Sequence, residues 1–314
     1  MEQIPKILCV SANPGVDRRI TLPSLRLGEV NRASAVDPMS GGKAAHVAFV
    51  AKTLGADVRW LAFLGGAEGE TCRAGMTARG VTPIAVPIQG RTRTNLELIE
   101  AATGEVTEVL EPGPTVTASE RLEFITQFDA QLRNHPTVVI SGSLPGGVAS
   151  SFYAEMIAIA KSANCRVMLD TSGEALAASL ESAPHLIKPN RQEVSSLLGR
   201  EVSSFEDAIE AAKELRQRGP QTVIISLGEA GAVVVTGHAT LHGVAPKVTA
   251  KSAVGSGDSF LAGWAVASSL GKPAGDCLRT AIACGAANCR AESPGIFELE
   301  SVKGFFSEVQ IRQF

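Results

Sequence analysis

The chain has 314 residues, enough for one large α/β domain or two smaller ones. Hydrophobic residues make up 45% and aromatic residues only 4%, a balance that describes an Ala-, Val-, Leu- and Ile-rich core of the kind a parallel sheet flanked by helices requires. The 29 basic and 32 acidic residues leave a net charge of −3 with no block of like charge, which argues against a nucleic-acid or membrane-surface binder.

Short β-rich runs alternate with helical patterns along the chain. The stretches 4–10, 58–63, 137–141, 166–170, 185–188, 222–226 and 232–236 read as strands, and 42–54, 69–79, 151–163, 191–198, 204–219, 257–270 and 273–290 as helices. Val47, Val50, Ala51 and Leu54, for example, fall on one helical face. The alternation predicts βαβ units and an α/β fold: a three-layer, doubly wound, mainly parallel sheet covered on both faces. Regions 19–35 and 86–110 break the rhythm. In the second, 94–100 and 105–110 partly alternate in polarity around Thr103-Gly104, which predicts an antiparallel hairpin with one solvated face. Together the two regions read as a small β-lid, about 18–36 and 86–111, inserted in a single domain spanning 1–314. No apolar stretch nears the roughly 18 residues that cross a bilayer, and there is no signal-peptide layout. Cys9, Cys72, Cys165, Cys277, Cys284 and Cys289 form no C-x-x-C pair and sit mostly in apolar patterns, so reduced thiols in a cytoplasmic protein are expected.

Chemistry concentrates where ligands of open α/β sheets bind, just after predicted strands. The most informative segment is 252–267. A glycine-rich turn there feeds a helix whose inward face carries Phe260, Leu261, Trp264 and Ala265. Gly255, Ser256 and Gly257 are expected to offer unpaired N–H groups and the positive end of the helix dipole to an anion. Asp258 would repel that anion, unless it takes a proton from a hydroxyl while the turn stabilises a transferring phosphoryl group. The competing reading is an Asp that stabilises the first helical turn. Gly41 and Gly42 open another helix and allow close backbone approach. Lys43 in its first turn opposes the dipole, which hints at a bound phosphate; a solvated Lys is the alternative. No Gly-x-x-x-x-Gly-Lys-Ser/Thr loop is present.

Seven motifs occur in one order: Asn-Pro-Gly-Val-Asp at 13–17, Ser-Gly-Gly-Lys at 40–43, Thr-Arg-Thr-Asn-Leu at 92–96, Ser-Gly-Ser-Leu-Pro at 141–145, Lys-Pro-Asn-Arg-Gln-Glu at 188–193, Ser-Leu-Gly at 226–228 and Val-Gly-Ser-Gly-Asp-Ser at 254–259. Over roughly residues 5–297 the chain resembles the ribokinase-like (PfkB) carbohydrate kinases, and within them the sugar-phosphate branch that includes phosphofructokinases and tagatose-6-phosphate kinases. The resemblance implies an ATP- and Mg2+-dependent kinase acting on a hydroxymethyl group of a ketohexose phosphate: fructose 1-phosphate, fructose 6-phosphate or tagatose 6-phosphate. A kinase of an unphosphorylated sugar or nucleoside, and a non-catalytic sugar- or nucleotide-binding protein, are the alternatives. K+ is a further candidate cofactor, and a homodimer through the lid is implied.

Residue by residue, the resemblance implies that Asp17 binds sugar hydroxyls, where a turn-capping role competes. It implies that Arg93, with Arg91 as a neighbouring alternative, contacts the phosphate already on the substrate. Asn190 and Glu193 would hold Mg2+ and its waters, in competition with a capping box. Asp170 would support the metal or cap a helix, Ser226, Gly228 and Gly231 would form the loop under the nucleotide, Ser141 and Ser143 would line the pocket, and Ala286, Ala287 and Asn288 would pack on adenine or in the core. The chain departs from the family's Gly-Gly-Lys-Gly-x-Asn at Ala44 and His46, and many relatives have Lys where Gln192 stands; His46 is left as a candidate partner for a sugar hydroxyl.

Overall fold

The computed structural model describes residues 4–314, so the first three positions of the expected domain lie outside the described residues. In chain order the strands are β1 (Lys6–Ser11), β2 (Gly15–Leu22), β3 (Ala35–Gly41), β4 (Asp57–Leu64), β5 (Thr82–Pro87), β6 (Arg93–Glu100), β7 (Val106–Val109), β8 (Thr137–Ser141), β9 (Arg166–Asp170), β10 (Leu186–Ile187), β11 (Thr222–Ser226), β12 (Ala232–Val235), β13 (Thr240–Val244) and β14 (Gln310–Gln313). The helices are α1 (Lys43–Thr53), α2 (Gly66–Ala78), α3 (Ala118–Leu132), α4 (Phe152–Ser162), α5 (Gly173–Ser179), α6 (Arg191–Leu198), α7 (Phe205–Gln217), α8 (Ser256–Ser269), α9 (Ala274–Arg290) and α10 (Leu299–Glu308).

Ten strands form the main sheet in the order β14-β13-β12-β11-β10-β9-β8-β1-β4-β5. The run from β5 to β11 is parallel, and β12, β13 and β14 add antiparallel strands at one edge. Strand residues alternate between two cores, as period-two side-chain geometry requires. Ile7, Cys9, Trp60 and Val139 pack with α1, α2, α8, α9 and α10, while Leu8, Val10, Phe63 and Ile140 pack with α3 to α7. The chain moves from β1 to β4 on one side and later returns to β8 on the other, so the sheet's switch point lies between β1 and β8.

The lid is a separate four-stranded sheet, β3-β2-β6-β7. The hairpin around Gly104 is β6 and β7, paired antiparallel. The lid reaches further than the sequence pattern indicates. β2 starts at Gly15 and β3 runs to Gly41, so the motifs holding Asp17 and Gly41 are strand residues rather than loops. Strand β3, with Pro38 in it, has no β-like pattern; it is an edge strand, where a missing N–H costs no ladder bond. Three helices, α3, α5 and α10, and the strands β5, β13 and β14 were not expected from periodicity. All six cysteines are free and five are buried, and among the described residues no helix is long and apolar enough to cross a membrane.

Candidate active site

A crevice of about 600 Å3 lies between the lid and the carboxyl ends of the main-sheet strands. Asp17 reaches it from β2, Arg93 from β6, Lys43 and His46 from α1, Asp170 from the end of β9, Asn190 and Glu193 from the start of α6, Ser226 from β11, and Gly255, Gly257 and Asp258 from the start of α8. Gly41 makes room for Asp17: a Cβ at Gly41 would fall 2.0 Å from the Asp17 carboxyl carbon. Gly42 takes φ +91°, a conformation glycine adopts readily, and its N–H points at Asp17 Oδ2 at 3.3 Å. Asn95 donates to Asp17 Oδ1 at 2.8 Å. Asp17 is therefore not the cap of its own turn but a fixed acceptor inside the crevice.

His46 joins two carboxylates. Its Nδ1 is 2.9 Å from Asp258 Oδ2 and its Nε2 3.5 Å from Asp17 Oδ2. Burial opposes a charge on the ring, but hydrogen bonds to Asp17 and Asp258 outweigh it and push the His46 pKa up to about 10. Burial likewise works against the ionised Asp17, yet the hydrogen bond and charge of His46, with Asn95 and Gly42, hold its pKa below the usual carboxylate range.

The reason for a Lys at the start of α1 differs from the one the sequence suggested. The Lys43 ammonium lies 3.6 Å from Asp170 Oδ1 and 3.9 Å from Glu193 Oε1, so protein carboxylates already balance it. The charge of Asp170 is the largest influence that raises its pKa. Lys43 on α1 thus faces the acidic pair at the end of β9 and the start of α6, while Arg93 reaches the crevice from the lid strand β6. Lys188, which sequence reasoning left without a role, is the second partner of Asp170, at 3.1 Å, and its Nζ borders Gly257. Its signal was its place as the last residue of a predicted strand, at the head of the 188–193 motif.

Helix α8 begins after Gly255, whose φ of +78° puts it in the left-handed region; a Cβ there would also sit 2.7 Å from Pro294 Cβ. Ser256 N–H is donated to the Ala253 carbonyl at 3.1 Å and Ser259 N–H to Gly255 at 2.9 Å. The N–H groups of Gly255, Gly257 and Asp258 have no acceptor among the described residues, so Ser256 belongs to the turn's frame and not to its free donors. Asn288 belongs to that frame as well. It is 2% exposed; its Oδ1 accepts from Ser259 Oγ (3.1 Å) and Gly295 N–H (2.7 Å), and its Nδ2 donates to the Val254 carbonyl (2.7 Å) and Ser256 Oγ (3.2 Å). With every polar atom bonded inside the protein, Asn288 holds the turn, and Ala286 and Ala287 are core residues.

At the start of α6, Asn190 and Glu193 form a reciprocal capping box: Asn190 N–H donates to Glu193 Oε2 at 2.8 Å, and Glu193 N–H to Asn190 Oδ1 at 2.9 Å. That leaves Glu193 Oε1 for the crevice. Ser226 borders the crevice, and Gly228 is exposed in the short turn that follows. Gly231 closes this turn from inside, its N–H donated to the Gly228 carbonyl at 3.0 Å, and a Cβ on it would collide with the Gly243 carbonyl at 1.9 Å. Ser141 is fully buried and does not line the crevice; Ser143 does, and accepts from Asn13 Nδ2 at 3.1 Å.

Arg93 is the cation on the lid side. One guanidinium nitrogen donates to the Glu111 carbonyl at 2.8 Å, while Nε is buried without a partner. Arg91 instead pairs with Glu68 outside the crevice. Glu97 and Glu108, also unforeseen, lie directly opposite each other across β6 and β7 on the crevice side. Burial raises both pKa values, with the charge of Asp17 adding to it. Arg19 pairs with Glu97 at 3.3 Å and donates to Ser293 Oγ at 3.0 Å, tying the lid to the main body.

Residues 6–300 match the family model described as pfkB family carbohydrate kinase. The chain belongs to this family. PfkB relatives include the 1-phosphofructokinases of Bacillus subtilis, 31% identical over 97% of this chain and 99% of that protein, and of Escherichia coli K12, 32% identical over 98% and 99%. A third, from Xanthomonas campestris, is 36% identical over 83% of each chain. Among solved structures, phosphofructokinase-2 from Escherichia coli in complex with potassium superposes with a TM-score of 0.91 at 28% identity, covering 98% of this chain and 99% of that one. The PfkB architecture is also that of ribokinase from Arabidopsis thaliana complexed with ribose and ATP, with a TM-score of 0.78 at 22% identity, over 97% and 99%. The chain is thus a carbohydrate kinase, a phosphotransferase with an alcohol group as acceptor.

Proposed function

We propose that the chain transfers the γ-phosphoryl group of ATP to a hydroxymethyl group of a ketohexose phosphate, with fructose 1-phosphate as the acceptor. The observation that carries the kinase chemistry is Asp258 beside two unpaired backbone N–H groups at the start of α8, with Asp17 facing it across His46. The curated relatives named 1-phosphofructokinase support the acceptor. In fructose 1-phosphate the one free hydroxymethyl group is at C6. Fructose 6-phosphate and tagatose 6-phosphate are the runners-up.

In this reading Asp17 accepts hydrogen bonds from acceptor hydroxyls and so aims the hydroxymethyl group at the start of α8. Asp258 takes its proton as the new O–P bond forms and the bond to the β–γ bridging oxygen breaks. The Gly257 and Asp258 N–H groups, with Lys43 and Lys188, stabilise the charge on the transferring group. Arg93, with its unpartnered Nε, holds the phosphate the acceptor already carries. Ser226 and Gly228 border the nucleotide. Lid closure over the crevice excludes water and limits ATP hydrolysis.

The residues fit a hard cation. Both Asp170 carboxylate oxygens are buried and face only the Lys43 and Lys188 ammonium groups, Glu193 Oε1 lies outside its capping box, and among the described residues no trio of His, Cys, Asp or Glu forms a closed cage. Two carboxylates with room for water suit Mg2+, which supplies charge neutralisation to the ATP phosphates when bound. The potassium in the phosphofructokinase-2 structure supports testing K+ as an activator. A homodimer through the lid is part of the proposal, supported by the apolar face of Ile20, Val36, Leu96, Leu98 and Val109 opposite the crevice; Val36 and Val109 are 44% and 49% exposed. A coupled ADP-release assay with fructose 1-phosphate tests the reading: ADP must appear in equal amount with bisphosphorylated sugar. ADP release that ignores the sugar would overturn it.

A further inference from the structure

His46 takes no proton in the step above, yet it touches both carboxylates that the step uses. Its ring is 4% exposed, with Nδ1 2.9 Å from Asp258 Oδ2 and Nε2 3.5 Å from Asp17 Oδ2. Gly295 presses on the same residue, since a Cβ there would lie 3.1–3.4 Å from the His46 carbonyl oxygen, Cα and Cβ. Gly295 thus packs against the backbone that carries the ring. A neutral imidazole has one N–H, so it can donate to one carboxylate only, and its other nitrogen would turn a lone pair toward the second. The imidazolium turns an N–H toward both, hydrogen-bonding Asp258 and facing Asp17 as an opposite charge.

We propose that His46 is a cationic positioning residue that holds Asp17 and Asp258 in register, through a hydrogen bond from Nδ1 to Asp258 and a charge contact from the otherwise unpartnered Nε2 to Asp17. The carboxylate that grips the acceptor hydroxyls and the carboxylate that takes the proton are then held in register by a single charged ring. The proposal rests on the kinase reading for its kinetic consequences. The charged groups around the ring favour the cation. Asp17 faces it from β2, Asp258 from α8, and Glu97 and Glu108 act on it from β6 and β7; the like charges of the same crevice are Lys43, one turn earlier on α1 and balanced by Asp170, Arg93 on β6, and Arg19, paired with Glu97. The raised pKa of the ring agrees with that geometry. With Asp258 Oδ2 engaged, Oδ1 is the oxygen left for the acceptor. An Asn at this position, as in the common family pattern, would offer one carboxylate a hydrogen bond but no charge.

His46 contacts both carboxylates, so the test is the pH profile and not activity alone. His46→Asn keeps an amide near Nδ1, and His46→Gln keeps one near Nε2; neither can be cationic. For both variants kcat/KM for fructose 1-phosphate, at saturating ATP, should lose its acid limb at a pH about 1 unit or more above wild type, the scale of removing an opposite charge at this distance. The loss should therefore be at least about tenfold on the acid limb, below both midpoints, and should shrink on the plateau above them, with KM for ATP unmoved. A loss of equal size at every pH, with the acid limb where wild type has it, would overturn the proposal. If the variants do not fold, NMR of wild type labelled in its five histidines decides the matter. One ring should remain an imidazolium at pH 8, and five neutral rings would overturn the proposal. The titration needs no turnover, so a chain that phosphorylates none of the tested sugars would sink the kinase reading while the state of His46 is still read.

Discussion

Replacing Asn288 with Ala separates two roles for this residue, a scaffold for the α8 turn and a contact for adenine. In the structure the amide makes four hydrogen bonds inside the protein, to Val254, Ser256, Ser259 and Gly295. Alanine leaves the buried Gly295 N–H and the Val254 carbonyl without their partners. The unsatisfied buried N–H costs about 1–3 kcal/mol and each of the other three bonds about 1 kcal/mol, so a loss of about 4–6 kcal/mol is expected. At about 2 °C per kcal/mol, the low end for domains somewhat smaller than this one, the midpoint should fall by about 8–12 °C. Differential scanning calorimetry and urea unfolding read the stability, and initial rates read kcat and KM for ATP. The turn that carries Gly255 and Gly257 should relax as well, so kcat should drop with little change in KM for ATP. An unshifted midpoint together with a raised KM for ATP would refute the scaffold role and favour the adenine contact.

Other substitutions test the remaining parts of the site. Asp258→Asn should retain ATP binding, measured by calorimetry, and lose about 10²–10⁴-fold in kcat, the usual range for a general base; more than half of wild-type turnover would exclude that role. Glu193→Gln preserves the capping box, because Gln serves there as well as Glu, yet removes the charge facing the crevice; the Mg2+ concentration for half-maximal rate should rise while the melting temperature holds, and an unchanged Mg2+ titration would leave Glu193 as a cap only. Arg93→Ala should reduce kcat/KM for sugar phosphates by about 10–100-fold and barely affect weak activity on the free sugar, whereas Lys43→Met should reduce both alike, since it sits with Asp170 and Glu193. The charge on His46 stabilises the fold fully below its unfolded pKa near 6.5, and that contribution fades as pH rises toward about 10. The stability difference between wild type and His46→Gln should therefore shrink between those pH values, read by urea unfolding at fixed ionic strength; a difference that stays constant would contradict the buried cation.

Much of the fold was legible because its parallel strands are short apolar runs bounded by helices: 137–141, 166–170 and 222–226 coincide with β8, β9 and β11. What escaped was structure set by distant pairing. Strand β3 has no pattern of its own, and β14 joins the sheet only through β13. Helix α3 did carry a local signal, the Thr117–Glu120 capping box. In the site, the motifs at 141–145, 188–193 and 226–228 marked the ends of β8, β10 and β11, whereas those at 13–17 and 92–96 fall where β2 and β6 begin, and none showed which side chains meet. Lys43 seemed to call for a phosphate because the balancing Asp170 is more than a hundred residues away in sequence. Asn288 looked available to a ligand because its four partners are spread over 254–259 and 295. His46 looked like a weakened copy of a common amide, and only the geometry shows both of its nitrogens facing carboxylates.

The most direct test of the central claim is kcat/KM measured for fructose, fructose 1-phosphate, fructose 6-phosphate and tagatose 6-phosphate with ATP and Mg2+ in one coupled ADP-release assay. An Arg-bound phosphate contributes about 1.5–3 kcal/mol, so fructose 1-phosphate should exceed fructose by at least about 10–100-fold and lead the two 6-phosphates. A wild type that prefers free fructose would contradict the account.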